Sequence, residues 1–208
     1  MKKNNSDEIT QESGLLDIYK AIRFKLPKSN INIFSTLSVL AMLITCVMMS
    51  TENSFFWLIK MRKLAETGFS FSTGILGFLI AGFTIFATVV DKNLFAAMAK
   101  VIHTKSGLSY LKYNFFILMY VFIVYLGFAI LCLLVQLVGD TSGFISIMTK
   151  LVAGEEYFAT VKHLLVRIGV VVVGTWFFYS LIILQSFIFN IYHVVVTAIR
   201  WEVGDDKI

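Results

Sequence analysis

FSFSTGILGFLIAGFTIFATVV, residues 69–90, contains no charged side chain and is followed at once by Asp91 and Lys92. A bilayer core about 30 Å thick needs roughly 20 apolar residues in a helix. The segment therefore predicts a membrane-spanning helix. Three other stretches read the same way. Ile31–Thr51 and Asn114–Val138 are uncharged, and a fourth stays apolar from about Ile168 to Ile199. Its second half is interrupted only by Gln185, Ser186, Asn190, His193 and Thr197.

Composition agrees with this reading. Hydrophobic residues make up 58% of the 208 and charged residues 15%, against roughly 45–50% and about 25% in soluble domains. That excess excludes a water-soluble core of ordinary size, and two cysteines are too few for a disulfide scaffold. The expected fold is all-α: four transmembrane helices plus short amphipathic interfacial helices. Residues 1–30 form a cytoplasmic N-terminal segment, 31–201 the transmembrane domain and 202–208 a cytoplasmic tail. No cleavable signal sequence is expected ahead of the first span, which would act as an uncleaved signal-anchor.

The fourth stretch, Ile168–Trp201, exceeds the roughly 25 residues that a tilted span uses. Between Thr175 and Val203 there is no Pro or Gly to break it, so one helix should overrun the bilayer. Orientation follows from the cationic side chains. Lys2, Lys3, Lys20, Arg23, Lys25, Lys28, Lys92, Lys100, Lys105, Lys112, Arg200 and Lys207 fall on one side, twelve in all. Lys60, Arg62, Lys63, Lys150, Lys162 and Arg167 fall on the other, six in all. Both termini and the second loop then face the cytoplasm.

Outside the spans, Asp91–Tyr113 reads as a surface helix. Leu94, Phe95, Met98, Val101 and Ile102 share one helical face, while Lys92 and Lys100 lie off it. The face either rests on lipid or docks a cytosolic partner. Leu15, Ile18, Tyr19, Ile22 and Leu26 make a similar face near the N-terminus, with Ser13 as a candidate cap and Pro27 as its stop. Residues 1–12 are polar and expected to be mobile. The first external loop should begin with Phe55, Phe56 and Trp57 and end at Gly68. The third, Gly139–Lys162, should hold a short helix on the outer surface. A re-entrant pore loop there is disfavoured by Lys150, Glu155 and Glu156. Arg167 is expected to snorkel to the headgroups.

Two patterns single out residues inside the spans. Ser70, Gly74, Gly77, Ala81, Thr84 and Thr88 recur at spacings of three and four and form one stripe of small side chains. Such a stripe lets helix backbones approach closely, which lipid itself does not drive. It is a helix-packing or oligomer seam, either within the chain or between subunits. Ser186, Asn190, His193 and Thr197, with Gln185 beside them, form a polar stripe. Polar groups at membrane depth turn toward protein or water, so this stripe either bonds neighbouring helices or lines an aqueous lumen in an oligomer.

Catalysis has no support in these residues. His103, His163 and His193 lie in separate regions, and Cys46 and Cys132 each sit alone in a span. No catalytic residue, cofactor site or metal site is expected, and no direct contact with nucleic acid.

The run STGILGFLIAGFTIFATVVDKNLF (Ser72–Phe95), the polar N-terminus and four spans in about 200 residues together resemble the KwaA family, the membrane subunits of the bacterial Kiwa anti-phage defence system. The resemblance implies an inner-membrane homo-oligomer, in the family's form a tetramer. It also implies a sensor of envelope disturbance that holds a cytosolic, DNA-binding, KwaB-like partner subunit. An oligomeric pore or small ion channel that depolarises the membrane is the alternative. The acidic tail residues Glu202, Asp205 and Asp206 would suit a basic partner, or remain solvated.

Overall fold

Six helices form among the residues described by the computed structural model, which are 14–25, 30–89, 92–104, 106–139 and 144–205. They are α1 (Leu15–Lys25), α2 (Asn30–Met49), α3 (Ser54–Val89), α4 (Lys92–Lys100), α5 (Tyr110–Val138) and α6 (Phe144–Asp205). No strand occurs among these residues, and four of the helices are long and apolar enough to cross a membrane: α2, α3, α5 and α6.

Two of these helices are longer than hydropathy alone indicates. α3 has 36 residues and α6 has 62, well beyond the roughly 20 a bilayer core requires. The segment read as the first external loop is helical from Ser54, and that read as the third is helical from Phe144. Phe55, Phe56 and Trp57 occupy the first turn of α3, Gly68 lies inside it, and Phe144–Arg167 continues directly into the fourth span. No re-entrant loop is formed over that range. The reason is that Lys60, Arg62, Lys63, Glu66, Lys150, Glu155 and Glu156 interrupt hydropathy but are not helix breakers. The overrun of α6 at its other end occurs as expected, since the helix runs unbroken through Trp201 to Asp205.

The turn between α2 and α3 is set by Asn53. Its Oδ1 accepts a hydrogen bond from Phe56 N at 2.9 Å and its carbonyl accepts one from Trp57 N at 3.4 Å, an N-cap that satisfies amides left over at the helix start. The opposite side of the turn is held by Arg167, whose Nη2 donates to Ser50 O at 2.8 Å. Arg167 is half-buried, with one guanidinium nitrogen bonded to protein here. A cation at the end of α2 suits the exposed carbonyls and partial negative charge there. Arg167→Met should therefore lower stability by roughly 1.5 kcal/mol, the low end for a charged hydrogen bond. A thermal scan of the detergent-solubilised protein will read this as a reduced Tm.

The helices cluster into two compact units. One contains α2, α3 up to Gly77, α5 from Tyr125 and α6 up to Ile182. Its core is laid down by helical spacing. Leu58, Met61, Ala65 and Ser72 of α3, and Val166, Val170, Val173 and Ser180 of α6, are all buried and recur at three, four or seven. Val47, Leu58, Met61, Val166 and Val170 form one cluster. Ala65, Phe128, Cys132 and Val173 form another, edged by Trp176 and Phe177. The Phe128 ring stacks on Phe177 at 5.7 Å. Gly68 is buried where α3 meets α5. A Cβ on it would lie 2.9 Å from Phe128 Cζ and 3.0 Å from Cys132 Sγ.

Two polar bonds tie these helices across apolar surroundings. Tyr125 Oη donates to Ser180 O at 2.9 Å, and Gln136 Nε2 donates to Ala65 O at 3.3 Å. Bonds of this kind are worth about 0.6 kcal/mol on average within membranes. α2 is the least embedded of the four long helices, with Val47 its only buried residue. Ile31, Phe34, Leu37, Met42 and Met48 all remain exposed, as expected of a face meant for acyl chains.

The other unit contains α1, α3 from Phe78, α4, α5 up to Val124 and α6 from Ile183. The apolar face of α1 docks on protein. Ile22 is buried with Leu108 and Phe116, and Ile18, Ala21, Tyr113, Met119 and Tyr120 pack around them. Leu15 and Tyr19 stay exposed. The proposed cap Ser13, the polar residues 1–12, Leu26 and Pro27 lie outside the described residues.

The surface helix read over Asp91–Tyr113 is shorter than its periodicity suggests, because α4 ends at Lys100. The chain then reverses in a tight turn. Tyr110 N donates to Val101 O, and His103 N donates to Leu108 O, both at 2.8 Å, with an Ile102–Ser109 bridge between them. Gly107 takes φ +68° there, a left-handed conformation that costs glycine little. The His103 ring lies flat on Tyr113, with centroids 4.0 Å apart. A Ser–Gly pair in the loop thus stops a helix that apolar spacing alone would carry further.

Candidate functional site

α3 has two opposite faces. At 100° per residue, Leu58, Met61, Ala65, Gly68, Ser72 and Leu79 cluster on one side, and all are buried. Ser70, Gly74, Gly77, Ala81, Thr84 and Thr88 cluster about 180° away, and every one of them is exposed. A Cβ placed on Gly74 or Gly77 would meet nothing within 4 Å. The stripe is intact as a helical face, and among the described residues it is left exposed. Close approaches within the chain fall on other glycines, among them Gly68 against Phe128, Gly169 against Met61, Gly127 against Trp176 and Gly174 against Leu43.

The exposed face is prepared for an apolar environment. Thr84 Oγ1 donates to Ile80 O and Thr88 Oγ1 to Thr84 O, both at 2.9 Å. Thr73 and Thr67, on the flanks, bond back to Phe69 O and Lys63 O in the same way. These four threonine hydroxyls thus each donate to a carbonyl of their own helix, which lowers the cost of presenting them to lipid or to a packed helix. Toward the start of α3 the same face carries Glu66 and Lys63, both exposed.

The polar stripe of α6 does not converge on one contact. Gln185 and His193 are exposed, and Ser186, Asn190 and Thr197 are half-buried. His193 is edge-on to Phe189, centroids 4.5 Å apart, and also contacts Tyr192, both on its own helix. Asn190 is the member that reaches a concave surface. It lines a cleft of about 280 Å3 with Phe78, Leu79, Gly82 and Phe83 of α3, Asn114, Phe115, Ile117 and Leu118 of α5, and Phe187, Ile191, Val194 and Val195 of α6. Asn114 was legible only as the polar first residue of a span. Its partner across the cleft comes from 76 positions further along the chain.

The proposed partner or membrane-surface residues separate. Met98 is buried and Phe95 half-buried, its ring tilted against Phe115 at 6.5 Å. Lys100 and Ile102 are exposed, with Ile102 already past the end of α4. The Leu94 side chain lies outside the described residues, as do those of Glu202 and Asp205 and all of Asp206. α4 is therefore anchored to its own unit by Met98 and Phe95, while Ala96, Ala97 and Lys100 and the turn beyond it are exposed.

Among the described residues no group of three or more His, Cys, Asp or Glu is placed to hold a metal ion. Cys132 is fully buried in the Phe128 cluster and Cys46 is exposed on α2. Compared with known proteins, the chain matches no protein-family model, no curated protein and no solved structure.

Proposed function

We propose that this protein is a non-enzymatic sensor and scaffold subunit of an anti-phage defence complex. It sits in the bacterial inner membrane with both termini in the cytoplasm. It assembles with copies of itself, as a tetramer if it follows the family it resembles, and recruits a cytosolic DNA-binding effector. The reading of defence rests on the resemblance of Ser72–Phe95. Self-assembly rests on the uncovered small-residue face of α3, the observation that carries the proposal. Without a hydrophobic driving force between helices in lipid, close backbone approach along such a face is the available source of association energy. The docked α1, the turn after α4 and the start of α5 form one packed surface suited to holding a soluble partner.

Replacing Gly77 and Ala81 together by leucine should convert the oligomer to monomer in mild detergent. Each bulky side chain on a close-packed seam costs roughly 1–3 kcal/mol, while within the chain Ala81 is exposed and a Cβ on Gly77 meets nothing within 4 Å. Light scattering of the purified protein reads the result. An unchanged mass would remove this face as the seam.

A pore is the second reading, favoured by the passage of the exposed α3 face from Ala81, Gly77 and Gly74 into Ser70, Glu66 and Lys63. Reconstitution into vesicles separates the two. Ion flux without a partner supports the pore. Stoichiometric capture of the DNA-binding product of an adjacent gene, with no flux, supports the scaffold.

A further inference from the structure

Gln185 is exposed on α6, and its carboxamide makes no hydrogen bond among the described residues. Its depth follows from the neighbouring helix. Leu79 of α3 and Phe187 of α6 are both buried and line one cleft. Gly77 stands two residues before Leu79, and Gln185 two before Phe187, so the two lie at about the same level. Gly77 is near the middle of the uncharged run 69–90. An amide at that depth is expensive to leave in lipid without an acceptor. The face around it is bulky: Leu181, Phe189 and Tyr192 follow at helical spacing and are 41%, 62% and 62% exposed. α3 has the opposite relief, since Gly74, Gly77 and Ala81 are small and exposed. The chain itself shows how such surfaces join. Gln136 Nε2 donates to Ala65 O at 3.3 Å, an amide reaching the main chain of another helix where a small side chain leaves it open.

We propose that the Gln185 face of α6 in one copy of this chain seats on the Gly74–Gly77–Ala81 face of α3 in the next, with Gln185 Nε2 donating to a main-chain carbonyl beside Gly77. This rests on the self-assembly reading above and specifies which surface the small-residue face receives. Copies inserted alike in a membrane are related by rotation about its normal, so each residue keeps its level. Gln185 of one copy then comes to Gly77 of the next, and Phe189 to Ala81, each two residues beyond the Phe187 and Leu79 level. Bulky side chains fill a groove made by small ones, the close packing that drives association in lipid. Two different faces meet in this contact, so it is heterologous and closes into a ring when the rotation allows. Packing of α3 on α3 would use the groove against itself and leave the Gln185 amide unbonded in lipid.

The test uses the full chain with Cys46→Ser, which removes the exposed thiol and leaves Cys132 buried. Two differently tagged forms are produced in one membrane, Ala81→Cys in one and Phe189→Cys in the other. Both positions are exposed, so the fold tolerates them. Mild oxidation should give a disulfide that joins the two forms, with little product between two Ala81→Cys copies. In a second measurement, Gln185→Leu keeps the bulk of the face but loses the donor. It should weaken self-association in vesicles, read by energy transfer between labelled copies, about three- to twenty-fold. Disulfides between Ala81→Cys copies in place of the mixed product overturn the proposal, as does an unchanged dissociation constant for Gln185→Leu. In either case the loss of assembly on replacing Gly77 and Ala81 by leucine would still hold, and only the receiving surface would be wrong. A monomeric unmodified chain that gives neither disulfide would remove the self-assembly reading together with this one.

Discussion

Gly68→Leu should destabilise the protein by about 3 kcal/mol or more, beyond the usual range for overpacking. Even a Cβ at this position falls at 2.9 Å from Phe128 Cζ and at 3.0 Å from both Phe128 Cε1 and Cys132 Sγ. None of these atoms can step aside cheaply. Phe128 and Cys132 are both fully buried, and the Phe128 ring is held by stacking on Phe177. Three further carbons must force α3 and α5 apart. A glycine within a helix costs roughly 1 kcal/mol of helix propensity, so its presence here is offset by the close approach it permits. Thermal unfolding in detergent, followed by circular dichroism, should show a lower Tm. A Tm equal to that of the unmodified protein would mean that α3 and α5 do not meet at Gly68.

Phe128→Ala should cost about 3 kcal/mol by the opposite route. In lipid the reference state is also apolar, so the usual transfer term for a lost hydrophobic side chain largely vanishes. The cavity remains. Removing the ring leaves on the order of 100 Å3, or about 2.4 kcal/mol at ~24 cal/mol per Å3, and the lost aromatic contact with Phe177 adds about 0.5–1.5 kcal/mol. The two substitutions also test each other. Leucine at position 68 points into the space that the Phe128 ring vacates, so the double variant should be more stable than the sum of the single effects predicts, by about 1–3 kcal/mol. Additive losses would place the two residues in separate environments.

Hydropathy made the membrane class and the number of spans legible, because an uncharged run of 20 or so residues has few other stable destinations. It failed at the helix ends. The charged residues of Lys60–Glu66 in α3 and Lys150–Glu156 in α6 lower hydropathy but allow helix, so α3 starts earlier than its apolar run and the short helix expected after Gly139 is continuous with the fourth span. Hydropathy reports where a residue resides, whereas helicity depends on backbone preference, and the two part company outside the bilayer. The reverse error affected α4. Apolar spacing continued to Ile102, but Gly107 and the backbone bonds of His103 and Tyr110 favoured a tight turn.

The sites divide along a similar line. Periodicity alone was enough to put Ser70, Gly74, Gly77, Ala81, Thr84 and Thr88 on one face of one helix, since position around a helix depends only on residue number. Whether that face is covered is a question about other helices, and there the tertiary structure decided: it is bare, and Gly68, on the opposite side and read as the end of a loop, makes the tight contact instead. Asn114 and Asn190 gained their meaning in the same way. In the sequence Asn114 opens one span and Asn190 belongs to the polar stripe of another, and only the folding of α3, α5 and α6 around a common cleft brings them to one surface. Local spacing dictates the direction in which a side chain leaves its helix, while what it meets depends on contacts between residues far apart in the chain.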